Sequence, residues 1–302
     1  MRNPTVPGDV GDQISALLEQ IRLRYPELRL GKVSLNEEGQ YNTVLIVNET
    51  LVFRFAKVPG AVSTLRTEVA VQRCLHDRLP LPIPNPTYHN LDTEVIGRAF
   101  AGYRMIPGKP LWRPAFSSIG NVQALDRMAS QLAGFLHSLH TTPAETVPIE
   151  LPRHETHDHW TVMYDRIRGE LLPFMRSEAR KHVTAHFESF LHREPEWRRT
   201  EPSLRHGDFG TGNILYDPER LSIAGIIDFG HVGLGDPACD FAGLLSSYGA
   251  EFYARCAAAY PEMVAAMARV RFIQGTFALE EALFGLDNGD RAAYEAGMAQ
   301  YV

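Results

Sequence analysis

Along the first hundred residues the hydrophobic positions switch between two periods. Ile14, Leu17, Leu18, Ile21 and Tyr25 recur at helical spacing over 12–25, and Pro26 stops the run. The pattern then shortens. Residues 32–35, 42–47 and 51–55 are β-branched or aromatic runs separated by the turn signals Glu38-Gly39 and Asn48-Glu49, and they read as three strands. Ser63 or Thr64 can cap a helix running to about residue 79. Prolines at 80, 82, 84 and 86 then forbid a helix and impose an extended path. Strands near 87–89 and 98–105 follow, and Ile106-Pro107-Gly108 marks a break. Beyond it the period is helical. Leu125, Met128, Leu132, Leu136 and Leu139 form one apolar stripe ending before Pro143, and further helices are expected at 158–175, 178–191, 238–246, 249–257 and 262–285. The chain shows no internal repeat and no low-complexity tract.

Bulk composition narrows the class. The 302 residues leave room for one large domain or two lobes with separate cores. A 44% hydrophobic and 22% charged composition is ordinary for a soluble globular protein. The cysteines, Cys74, Cys239 and Cys256, are widely spaced and odd in number, which fits reduced thiols better than a disulfide framework. Pro4, Pro7, Asp9 and Asp12 fall where a signal peptide needs an apolar core, and no segment approaches the ~20 apolar residues of a membrane span. A cytoplasmic location with no membrane association is expected. With 30 Lys plus Arg against 36 Asp plus Glu, and no basic cluster beyond runs such as Arg198-Arg199, nucleic acid is not an expected partner. The net charge of −6 is permissive for a cationic substrate.

The chemistry concentrates in His206-Gly207-Asp208-Phe209-Gly210-Thr211-Gly212-Asn213 and in Asp228-Phe229-Gly230. Asp208 can orient and deprotonate an attacking hydroxyl, while Asn213 and Asp228 offer oxygen ligands to Mg²⁺. Between them lie an expected strand at 214–216, a turn at Asp217-Pro218 and a second strand at 223–227. A catalytic loop followed by a hairpin that ends at a metal ligand is the context that gives such a motif meaning. A loop carboxylate that merely caps a turn through Gly210 and Gly212 does not account for Asn213 and Asp228 as well.

In these runs the chain resembles the protein-kinase-like superfamily and, within it, the aminoglycoside phosphotransferases. The run His206 to Asp217 and the runs Ile227-Asp228-Phe229-Gly230 and Gly235-Asp236-Pro237-Ala238-Cys239-Asp240-Phe241-Ala242 look most like the 2''-aminoglycoside branch. Leu79-Pro80-Leu81-Pro82-Ile83-Pro84 and Ala278-Leu279-Glu280-Glu281-Ala282-Leu283-Phe284-Gly285-Leu286 extend the likeness over nearly the whole chain. The resemblance implies an α+β, two-lobed kinase-like fold, with a β-rich nucleotide-binding lobe at 1–106 and a mainly helical catalytic and substrate lobe at 107–302. It implies Mg²⁺ and ATP or GTP as phosphoryl donor, and a monomer or weak dimer.

Residue by residue, the resemblance puts Arg54 where the family's phosphate-binding strand usually carries lysine, and Glu68 where the partner glutamate falls. An arginine on the surface of an edge strand is the plainer reading, and Lys57 is the alternative if the register shifts. The phosphate-covering loop is expected at 36–43, where the single Gly39 also allows a plain hairpin turn. The nucleotide base is expected to meet the lobe connection, around Tyr103 and Met105, through backbone groups. His206 is expected to brace its loop, and Asp240 to tie a helix start to that loop through backbone amides. Glu280 and Glu281, beside Asp287 and Asp290, are the acidic residues proposed for a cationic acceptor, with a solvated helix face as the alternative. His154, His157 and His159 read as a solvated helix start, since their spacing does not share one helical face.

After Asp228-Phe229-Gly230 the chain reaches Gly235-Asp236-Pro237 almost at once, with no activation segment of ordinary length and no Ala-Pro-Glu. Gly207 stands where a protein kinase has arginine. The expected activity is therefore transfer of the γ-phosphate of ATP or GTP to a hydroxyl of an aminoglycoside antibiotic, a resistance reaction. A kinase of another small alcohol (macrolide, choline or sugar amine) and a non-catalytic nucleotide-binding pseudokinase are the alternatives.

Overall fold

A computed structural model of the chain describes residues 10–36, 39, 41–58, 60–192 and 201–302. Helix α1 (Val10–Arg24) precedes strands β1 (Val33–Asn36), β2 (Asn42–Val47) and β3 (Leu51–Ala56), helix α2 (Ala61–Leu75), and strands β4 (Tyr88–Asn90) and β5 (Phe100–Arg104). The strands form one antiparallel sheet in the order β1-β2-β3-β5-β4. Asn48 and Glu49, both at positive φ, make the tight turn that the Asn-Glu pair signalled. Period-2 alternation sorts β3. Phe53 and Phe55 pack with Phe100, Leu45 and Val47 against Leu17, Leu18 and Ile21 of α1, and each fully buried ring contributes about 1.5–3 kcal/mol. Arg54 points the other way, towards α2.

Two details of α2 differ from the sequence expectation. The helix begins at Ala61 behind Gly60, whose φ of 84° is left-handed, and neither Ser63 nor Thr64 caps it. Both lie within the first turns, where the Thr64 hydroxyl bonds back to Gly60 O. The helix ends at Leu75 rather than near residue 79, ahead of the proline run.

The second lobe is mainly helical. It contains β6 (Lys109–Pro110), α3 (Arg113–Ser117), α4 (Val122–His140), α5 (His157–Arg166), α6 (Ser177–Leu191), β7 (Ser203–Arg205), β8 (Ile214–Asp217), β9 (Ser222–Ile226), β10 (Gly233–Gly235), α7 (Ala238–Ala259), α8 (Glu262–Ala265), α9 (Met267–Asn288) and α10 (Arg291–Met298). One core, with Phe135, Phe187, Phe209, Phe229 and Phe241 at its centre, joins these helices to the β8–β9 hairpin. Asn121 caps α4 through Ala124 N, as its apolar stripe requires. The helix expected at 158–175 stops at Arg166 and continues as a π-helical turn (Ile167–Leu171) and a 3₁₀ turn (Leu172–Phe174) that accommodates Pro173. Gly249, at φ 81°, breaks α7 where the sequence suggested two helices. No helix among the described residues is long and apolar enough to cross a membrane.

Candidate active site

The hairpin β8–β9 delivers the two ends of the motif. Asn213 precedes β8, Asp228 follows β9, and Ile227 N donates to Asn213 O at 2.9 Å. Asp208 lies on the loop before Asn213 and lines a cleft of about 950 Å³ between the lobes, together with Asp228 and Arg54. Asn213 Nδ2 donates to Asp208 Oδ2 at 2.8 Å and to Asp208 O at 2.9 Å. That bond directs the amide oxygen of Asn213 away from Asp208 and engages Oδ2, so that Asp208 Oδ1 has no protein donor among the described residues.

His206 braces this loop. Its Nε2–H donates to Ile227 O at 3.0 Å and its Nδ1 accepts from Asp208 N at 3.3 Å, which fixes the neutral tautomer. Asp240, fully buried at the start of α7, accepts from His206 N at 2.9 Å and Gly207 N at 2.8 Å, and from His140 Nε2 at 3.0 Å. Burial works to raise the Asp240 carboxyl, but the His140 bond and the Arg205 charge help to outweigh it and hold it below the ordinary range. The tie of helix start to catalytic loop is thus the expected one. Asp236 is also structural, accepting from Ala238 N and pairing with Arg269 Nε at 2.6 Å.

Gly207 is explained by its surroundings. Its φ is 85°, and a Cβ would run into the Arg205 guanidinium and His231 O. Arg205 makes a two-pronged contact with Glu155, 2.8 Å on each side, and donates to His231 O at 2.7 Å. Burial pushes Glu155 up to about 7 against the pull of Arg205. A buried Arg205–Glu155 pair under the loop was not read from the sequence, since nothing in the separate strings Leu204-Arg205 and His154-Glu155 brings them together.

Arg54 is 8% exposed on β3, an interior strand of the sheet, so the edge-strand reading fails. Its Nη1 donates to Glu68 Oε1 and its Nη2 to Asp228 Oδ1 at 2.8 Å. Glu68 Oε1 also accepts from Gln72 Nε2 at 2.9 Å and Phe229 N at 3.2 Å. Burial pushes the Glu68 carboxyl up, against the opposing charge of Arg54. Asp228, at φ 61°, is raised by burial but pulled net downward by the Arg54 charge and bond and by the Gly230 amide. Its Oδ1 takes those donors; Oδ2 remains for a ligand.

The chemistry of these donors fits Mg²⁺: a carboxylate oxygen of Asp228 and the amide oxygen of Asn213, neither taken by a protein donor among the described residues. The other expected site residues divide. Glu280 and Glu281 on α9 both line the cleft; Glu280 accepts from Thr276 Oγ1 at 2.5 Å, and burial pushes its carboxyl up. Tyr103 and Met105 do not line it. The Tyr103 ring is buried beneath the sheet, its hydroxyl pushed up by burial, and Met105 N donates to Thr50 O at 2.8 Å, so that amide is not free for a base. The loop expected to cover the phosphates is described only in part, because Glu37, Glu38 and Gln40 lie outside the described residues, as does the Arg198-Arg199 run. Tyr41 of that loop packs edge-on to His231 and Phe284 across the cleft. His154, His157 and His159 do not converge. Thr156 caps α5 there, and burial with the Arg205 charge pushes His154 down to about 4. Sequence reasoning missed Trp112, which lines the cleft from the start of α3.

Known proteins resemble the chain in sequence and fold. A viomycin phosphotransferase of Streptomyces vinaceus is 29% identical over 276 residues, 87% of this chain and 91% of its own. The structure of the GDP complex of a wild-type aminoglycoside 2'-phosphotransferase-IIIa superposes with a TM-score of 0.83 at 25% identity, covering 93% of this chain and 95% of that one. A macrolide 2'-phosphotransferase type I superposes with a TM-score of 0.73 at 21% identity over 99% of both, which shows the shared fold. The family model described as "Phosphotransferase enzyme family" matches residues 32–273, and the chain belongs to that family.

Proposed function

We propose that the protein moves the γ-phosphate of ATP or GTP to a hydroxyl of an aminoglycoside antibiotic, with residues 1–106 binding the nucleotide and residues 107–302 supplying the catalytic loop and acceptor site. The observation that carries this is the convergence of Asp208, Asp228 and Arg54 on one cleft that Glu280 and Glu281 also line, with Asn213 bonded to Asp208. The carboxylate-lined wall suits a polycationic acceptor better than a neutral one. The nucleotide complex of the aminoglycoside-phosphotransferase neighbour supports a nucleoside triphosphate as donor.

In this reading Asp208 Oδ1 receives the acceptor hydroxyl and takes its proton as the oxygen attacks the γ-phosphorus, while Asn213 holds the other carboxylate oxygen and fixes its direction. Arg54, locked between Glu68 and Asp228, presents its cation to the donor phosphates. Asn213 and Asp228 would hold Mg²⁺, which supplies charge neutralisation on the transferring group. The base would meet the lobe connection beyond Met105, since the Met105 amide is engaged and Gly225 of β9 lies close beneath Ile106.

A second acceptor, viomycin, is favoured by the Streptomyces vinaceus relative. A transfer assay with kanamycin, gentamicin, streptomycin and viomycin, each with ATP and GTP, decides between them. The proposal expects at least one of these to be phosphorylated. Nucleotide binding with no transfer to any acceptor would favour a binding module instead.

A further inference from the structure

Trp112 leaves more of its surface open than any other large apolar side chain of the cleft. The residue is 54% exposed, yet it lines the same cavity as Asp208, Glu280 and Glu281. A single apolar residue exposed on a convex surface needs no explanation, but an open indole in a concave site rimmed by carboxylates is a wall waiting for a ligand.

The position of the indole is fixed by its neighbours. Phe116 N donates to Trp112 O at 2.9 Å, so Trp112 opens α3, and Pro114 sets the backbone of the first turn. Arg113 Nη2 donates to Ser246 O at 2.5 Å, and Phe116 packs on Tyr248 and Phe252 with ring centroids 4.6 and 4.9 Å apart, so the segment is fastened to α7. The benzo edge lies over Gly212, where an added Cβ would come within 3.1 Å of Trp112 Cη2. Glycine at 212 therefore lets the ring rest against the catalytic loop, next to Asn213. Among the described residues no ring or cation stacks on Trp112, and no side chain accepts from its Nε1–H.

We propose that Trp112 is the aromatic wall of the acceptor subsite and that, with Glu280 and Glu281, it selects acceptors in which a protonated amine lies beside a ring face. Carboxylates alone draw in any cation. An indole face attracts a desolvated cation through its quadrupole and covers the apolar face of a ring at the same time, so the pair discriminates by shape as well as charge. The proposal rests on the cleft being the acceptor site.

Tryptophan fluorescence and steady-state kinetics test it, with kanamycin and viomycin as probes, each against its N-acetylated form. Trp160 is buried and Trp197 lies outside the described residues, so quenching that depends on a residue in the cleft is read by comparing wild type with Trp112→Ala and Trp112→Phe. The expected result is quenching by at least one amine-bearing probe, at least about tenfold weaker binding of its acetylated form, a rise in acceptor KM of about tenfold in Trp112→Ala with nucleotide KM unchanged, and recovery in Trp112→Phe. An unchanged acceptor KM in Trp112→Ala, equal losses for charged and acetylated probes, or no binding of either probe by wild type overturns the subsite. Transfer that proceeds with no effect of Trp112→Ala sinks the subsite and leaves the phosphotransfer reading standing. Trp112-dependent binding without transfer does the reverse.

Discussion

At the scale of single residues, Arg54 is the departure with the largest consequence. A lysine ammonium is a point charge, whereas the planar fork of Arg54 reaches Glu68 and Asp228 at once from one buried position. Arg54→Ala would leave Glu68 buried without its cation. Two losses are expected: about 3–5 kcal/mol of stability in urea unfolding, and about 1.5–3 kcal/mol in nucleotide binding and catalysis. Arg54→Lys should recover part of each, because one ammonium cannot serve both carboxylates, and Lys57→Ala should change turnover little. A crippled Lys57→Ala beside a silent Arg54→Ala would show that the cation had been assigned to the wrong residue. Arg54 was legible through the family resemblance of Val52-Phe53-Arg54-Phe55, since the alternation of Phe53 and Phe55 alone also allowed a surface arginine. Trp112 was not, because a lone aromatic before Arg113-Pro114 carries no period and no partner in sequence. That Tyr103 and Met105, expected to meet the base, stand away from the cleft was equally hidden, since a backbone amide's partner, here Thr50 O for Met105, is decided by strand pairing.

At the scale of elements, α7 and the loop 206–213 form one unit. Asp240 holds the His206 and Gly207 amides, and Gly243 lets α7 approach Phe209 so closely that a Cβ would meet Phe209 O at 2.6 Å. The Asp240 carboxyl is depressed in the folded protein, so its contribution is present above the unfolded value near ~3.9 and is lost as pH falls through the folded value. Asp240→Asn should cost about 1.5–3 kcal/mol in urea unfolding at pH 7. The gap to wild type should narrow as the pH falls below about 4. A gap that stays constant into acid would mean that the charge on Asp240 is not what holds the loop. Long elements such as α4 were plain from their apolar stripe, and the Asp240 tie followed from the motif. The strands β7 and β10 were not legible, because three residues are too few to show a period. Nor was α10, whose contact with α9 runs through Gly297 against Ala278 and Ala282 and through Gly285 against Tyr294. Close backbone approach leaves no hydrophobic signature.

At the scale of the whole molecule, the two lobes are joined at the site itself. Arg54 and Glu68 come from the sheet lobe and Asp228 from the helical lobe, while Tyr41 spans to His231 and Phe284. The order of elements, sheet lobe first and catalytic loop later, was readable from the change of period after Ile106-Pro107-Gly108. The way the lobes close on a shared ion pair depends on three-dimensional contact between residues far apart in the chain. In the proposed reaction this joined cleft transfers phosphate to an acceptor hydroxyl by way of Asp208. That reaction is tested most directly by following labelled γ-phosphate from nucleotide to acceptor with wild type and Asp208→Asn side by side. The account predicts acceptor-dependent transfer by wild type and a fall in kcat of at least ~10²-fold in Asp208→Asn with nucleotide binding nearly intact. Transfer at an undiminished rate by Asp208→Asn, or loss of nucleotide binding together with activity in a folded variant, would contradict it.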